Sequence, residues 1–170
     1  MKLTIQLLSY LAIVLVAGCA HASQSLLSVA SQGETFVTTA AGKLNVQVKI
    51  ITHEVHIGKP SDGRPSVIQS NCTYSKYPCS IVERVEITVD NNPLFIPRSV
   101  FSDLADLNSA EVKANDNGVV LTLYGGDASE SYIVKIAFDA EKVKSRILSS
   151  AMSPDQPLQE TTYYVQVLGN

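Results

Sequence analysis

Cys72 and Cys79 are the pair whose type and spacing carry the most definite chemistry in this chain. In an oxidising compartment two such thiols pair as a disulfide, and closing residues 72 to 79 is worth ~2.5 kcal/mol in the chain-entropy treatment. Between them stand Thr73, Tyr74, Ser75, Lys76, Tyr77 and Pro78. A covalent loop of this kind presents its side chains already ordered, so little entropy is lost on association, and tyrosine is among the residues that carry most interface energy. Tyr74, Lys76 and Tyr77 are therefore the candidate partner-binding residues. The competing arrangement is a stapled hairpin whose tyrosines lie down on a sheet edge.

The other reactive types are sparse. Zinc would need nitrogen ligands, and outside the first 25 residues only His53 and His56 offer them, at spacings that match zinc sites poorly. His53-Glu54-Val55-His56 falls one residue short of H-E-x-x-H, and positions three apart on a strand face opposite sides, so no metal and no cofactor is expected. No G-x-S-x-G nucleophile elbow is present: Gly125-Gly126-Asp127-Ala128-Ser129 has the wrong spacing and reads as a hairpin turn. Paired carboxylates made by the fold leave open a small hydrolase that uses acidic residues or His53 and His56.

The third cysteine, Cys19, stands in a different context. Met1-Lys2 is a minimal positive start, and residues 3 to 17 form a mostly apolar run shorter than the roughly 20 residues of a membrane span. Val16-Ala17-Gly18-Cys19 then resembles the lipobox of bacterial lipoproteins. That resemblance covers only the signal segment and implies a lipidated Cys19 that tethers the chain to a membrane. Ala20-His21-Ala22 before Ser23 fits the alternative, cleavage by ordinary signal peptidase, which discards Cys19 and yields a soluble periplasmic or secreted protein. Both routes leave Cys72 and Cys79 as an even pair.

Residues 1–22 read as the signal segment, 23–40 as a flexible, Ser/Thr-rich tether with little periodicity, and 41–170 as one β-rich domain. Leu44, Val46, Val48 and Ile50 alternate with polar residues as a half-buried strand. The apolar parity then changes through Ile51 and Val55, which predicts a β-bulge or a break near residues 50–53. Gly58 to Pro65 reads as a loop. Val85, Ile87 and Val89 mark a second strand, Asp90-Asn91-Asn92-Pro93 a turn, and Leu94 to Ile96 a short strand. Ser99 can cap a short helix that carries Val100, Phe101, Leu104 and Leu107 inward. Asn117-Gly118 is the strongest hairpin signal, and Tyr132 to Phe138 alternates strictly. Residues 139–149 fit helix or strand, with the strand preferred and Val143, Ser145 and Ile147 on one face. A last strand runs from Thr161 to Leu168 and splits Tyr163 and Tyr164 between core and surface.

These patterns predict a mainly β fold, an antiparallel sandwich or partly closed barrel of about six to eight strands with one short helix. At 170 residues, with 45% apolar and 17% charged residues and a net charge of −3, the chain has a core of ordinary size and no basic face for nucleic acid. The expected role is a non-enzymatic binding protein of the cell envelope with a protein partner there, such as an inhibitor or immunity protein against a periplasmic toxin or a wall-degrading enzyme. The alternatives are the small hydrolase, and a structural lipoprotein or ligand carrier with an apolar pocket.

Overall fold

The computed structural model describes residues 26–41, 44–56, 72–73, 76–115 and 118–164. Ten strands run in chain order: β1 Leu27–Ser28, β2 Gly33–Ala41, β3 Leu44–Val55, β4 Cys79–Val89, β5 Asn92–Pro93, β6 Leu107–Asn115, β7 Gly118–Gly125, β8 Tyr132–Phe138, β9 Val143–Ser150 and β10 Pro157–Thr162. They form two antiparallel sheets, β1-β6-β7-β8-β9-β10 and β2-β3-β4-β5, neither closed into a barrel. The sandwich is thus as the alternation predicts, with more strands. The expected helix is a single 3-10 turn, Arg98–Val100, with Pro97 rather than Ser99 at its cap and no side-chain capping bond. Val100, Phe101, Leu104 and Leu107 are nevertheless all buried.

Each sheet turns one apolar face inward. Val46, Val48 and Ile50 lie opposite Val89, Ile87 and Val85, while Val119, Leu121 and Leu123 lie opposite Phe138, Ile136 and Val134. All twelve are essentially sealed from water. At ~1.5–3 kcal/mol per side chain of this size, such cross-strand pairs supply most of the driving force for joining the sheets.

Three differences from the sequence pattern have physical causes. The described part of the expected tether, from residue 26, is not loose: β1 pairs with β6 and β2 pairs with β3 along nine residues. Its periodicity is carried by Thr35, Val37 and Thr39, all buried, while Phe36 faces out, so a polar inward set hides the strand. Near residue 50 the bulge exists, but on the partner strand. Ile51 pairs with Arg84 and Thr52 with Val82, which leaves Glu83 as the extra residue. β3 keeps its parity and buries Thr52, whose hydroxyl donates to the carbonyl of Ala30 at 2.8 Å.

In β9 the strand preference holds but the face does not. Phe138 pairs with Val143 and Ala137 with Ser145, so Lys144 is bulged and Arg146 swings in opposite Ile136. β10 begins four residues before the expected strand, and the 94–96 segment carries only one ladder bond, from the Leu94 amide to Ile87. The Asp90-Asn91 turn has φ of 49° and 66°, the left-handed pair that a two-residue hairpin needs and that Asp and Asn tolerate. Tyr163 packs against the core and Tyr164 is exposed. The Gly58–Pro65 loop, the tip of the Asn117-Gly118 hairpin at residues 116–117, and residues 165–168 of the last expected strand fall outside the described residues.

Candidate functional site

Cys79 opens β4 opposite Val55, and its sulfur is bonded to Cys72 across a Cα–Cα distance of 5.6 Å. Both half-cystines are buried, so the staple lies beneath the loop and not on its surface. A second fastening is invisible in the sequence. Asp106, buried and held at φ 51°, aims its carboxylate at the loop's two roots. One oxygen accepts the Thr73 amide at 2.7 Å, and the other accepts the Ser80 amide at 2.9 Å. The Asp106 amide in turn donates to the Ser80 carbonyl at 2.6 Å. Backbone N–H groups are strong donors to a carboxylate, and this pair fixes the loop entry and exit to the sandwich independently of the disulfide.

The clamp is held from below. Tyr132, on β8, places its hydroxyl on Ala105, accepting the amide at 3.2 Å and donating to the carbonyl. Burial pushes the Tyr132 phenol well above its ordinary range. Gly125, its cross-strand partner, has to be glycine, since a Cβ there would sit 2.3 Å from the tyrosine ring. The Gly126 amide closes the arrangement by donating to the Asp106 carbonyl at 3.1 Å.

Of the three residues expected to be displayed, Tyr77 is on the surface, 41% exposed, with the ring of His56 5.8 Å away at a 50° tilt. Lys76 turns the other way: its ammonium donates to the Asn108 side chain at 2.5 Å and reaches the Asp106 carbonyl at 3.4 Å. It therefore ties the loop down. Tyr74 and Cys19 lie outside the described residues.

His53 and His56 do not come together. His56 meets Tyr77, whereas the Nδ1 of His53 stands 3.6 Å from the Glu83 carboxylate. The bulge on β4 explains the second contact, because it turns the extra residue out beside His53. These two line a cleft of about 150 Å³ with Arg98 and Ser102, over a floor of Ile81, Val82 and Phe101. A hydroxyl, an imidazole and a carboxylate in one cleft are the residue types of a nucleophile with its base and orienting acid. Among the described residues, no three of His, Cys, Asp and Glu are grouped to hold a metal ion. An apolar groove of about 340 Å³ between Phe95, Val143, Tyr163 and Tyr164 opens at the surface, where Phe95 and Tyr164 are the most exposed large apolar residues. No helix among the described residues is long and apolar enough to cross a membrane.

The chain matches no protein-family model, no curated protein and no solved structure.

Proposed function

We propose that this chain is an exported, non-enzymatic binding protein of the cell envelope, held at a membrane through Cys19 or released by cleavage after Ala22. In this reading it blocks a periplasmic toxin or wall-degrading enzyme as an inhibitor or immunity protein. The observation that carries the reading is the doubly fastened cystine loop. A disulfide and a buried carboxylate both fix its roots, and the loop projects Tyr77 beside His56. A sandwich spends such fastening on a loop whose shape matters, and a pre-ordered aromatic surface loses little entropy on binding.

The test is to recover the tagged chain from envelope fractions of the producing cell and compare wild type with Tyr77→Ala, His56→Ala and His53→Ala. A stoichiometric partner that is lost with the first two variants and kept with the third supports the reading, and suppression of that partner's activity by the pure protein identifies an inhibitor. Retention of the partner by the Tyr77 and His56 variants removes the loop from the interface. The intact mass of the recovered protein separates a lipidated Cys19 from cleavage after Ala22.

A second reading, a small hydrolase, has one observation behind it: His53, Glu83 and Ser102 share a cleft. It predicts that His53→Ala abolishes function while Tyr77→Ala leaves it intact.

A further inference from the structure

The same cleft has a chemistry that does not depend on either reading. Arg98 and Ser102 are four residues apart on one turn, and the Ser102 amide donates to the Arg98 carbonyl at 2.8 Å, which brings both side chains to one side. The turn is fixed from beneath. Arg146, buried inside the sandwich, donates through Nε to the Val100 carbonyl at 3.1 Å and through a terminal nitrogen to Asp103 at 2.7 Å. The Arg98 guanidinium itself has no carboxylate and no hydrogen-bond partner among the described residues. Across the cleft the Glu83 carboxylate is turned toward His53.

We propose that this cleft binds a single carboxylate on a short apolar stem. Arg98 supplies a planar fork matched to two carboxylate oxygens, Ser102 adds a hydroxyl donor beside it, and Ile81, Val82 and Phe101 form an apolar floor for the stem. Two features limit the ligand. A space of about 150 Å³ admits a carboxyl group and a few carbons, not an extended chain. Among the described lining residues Arg98 is the only lysine or arginine, and the Glu83 carboxylate shares the cleft, so a monoanion is favoured over a phosphate dianion, whose second negative charge adds repulsion from Glu83. The carboxylate can come from a free short-chain acid or from the C-terminus of a peptide.

Amide resonances of the full chain, followed by heteronuclear NMR during titration with sodium butyrate, butyramide, inorganic phosphate and N-acetyl-alanyl-alanine, test this. Butyrate is expected to shift Val82, Glu83 and residues 98–102 saturably, and butyramide is not. Arg98→Ala weakens butyrate by at least about tenfold, and Arg98→Lys, which keeps charge and loses the fork, falls between it and wild type. Glu83→Gln tightens it. Tighter binding of the peptide than of butyrate assigns the site to a chain terminus, and the reverse assigns it to a free acid. Equal shifts with butyramide, unchanged affinity in Arg98→Ala, or phosphate binding more tightly than butyrate would each overturn the proposal. Both substituted positions, 83 and 98, are solvent-exposed, so loss of fold does not confuse the result.

Discussion

Asp106 and Arg146 are both buried to the same degree, and each fixes a segment that carries a candidate site, yet they do so with opposite partners. Asp106 fastens the cystine loop through the backbone amides of Thr73 and Ser80. Arg146 fastens the 98–103 turn and β10 through one carbonyl and two side chains, the carboxylate of Asp103 and the amide of Gln159 at 2.8 Å. The first clamp makes no demand on the loop's side chains, since any residue but proline offers an amide. Residue type is constrained at position 106 and, beneath it, at Tyr132 and Gly125. The second clamp depends on the types at 103 and 159, because removing either leaves part of a buried guanidinium without an acceptor.

The largest effect is therefore expected on the Arg146 side. Arg146→Met should cost about 3 kcal/mol by urea denaturation, at the low end for a broken buried ion pair because Asp103 is itself partly exposed. Asp103→Ala should approach that cost. Hydrogen exchange should speed up over residues 98–104, and the cleft's carboxylate affinity should fall with it. A variant that loses stability while those amides keep their protection would break the assignment of Arg146 to this turn.

On the other side Asp106→Asn should cost about 2 kcal/mol, since an amide keeps one acceptor and turns two donors toward a buried backbone N–H. The loss should appear as faster exchange at Thr73 and Ser80. Thr73→Ala and Ser80→Ala sharpen the contrast with Asp103→Ala: because only their amides reach Asp106, the clamp and the exchange protection of residue 106 should survive both. If Thr73→Ala opened the loop as widely as Asp106→Asn, the clamp would rest on side chains after all and the two regions would not differ in kind.

The sequence makes the apolar half of this molecule readable and hides its polar half. Val46, Val48, Ile50 and the set from Tyr132 to Phe138 alternate because water excludes every second residue, and they stand in the core where the pattern puts them. β2 escapes notice because two of its three buried residues among those described are threonines, and Arg146 escapes because a bulge at Lys144 changes which face it takes. Neither bulge has a residue signature of its own. The Cys72–Cys79 bond is legible from cysteine count once Cys19 is set apart in the signal segment, whereas Asp106 stands 26 residues beyond Ser80 and looks like any turn aspartate. The bond from Lys76 to Asn108 is hidden for a related reason: a lysine in a loop is ordinarily solvated, and only the fold brings Asn108 within its reach. His53 and Ser102 become neighbours through tertiary packing that no local spacing records.

The smallest effect isolates the Asp106 side without touching its carboxylate. Tyr132→Phe removes the hydroxyl that holds Ala105 and should cost about 1 kcal/mol near neutral pH, with exchange rising at residues 105 and 106 and unchanged at Val100. Its pH dependence has a definite sign. Burial raises the Tyr132 phenol above its unfolded value of about 10, so the unfolded chain releases this proton first. The stabilisation that the hydroxyl gives is whole below that pH and drains away as pH rises beyond it. Wild type should therefore lose stability faster than Tyr132→Phe above about pH 10, and the gap between the two should narrow. A gap that stayed constant across that range would mean that the buried phenol ionises as readily in the folded protein as in the unfolded one, and that its bonds to Ala105 contribute no linkage.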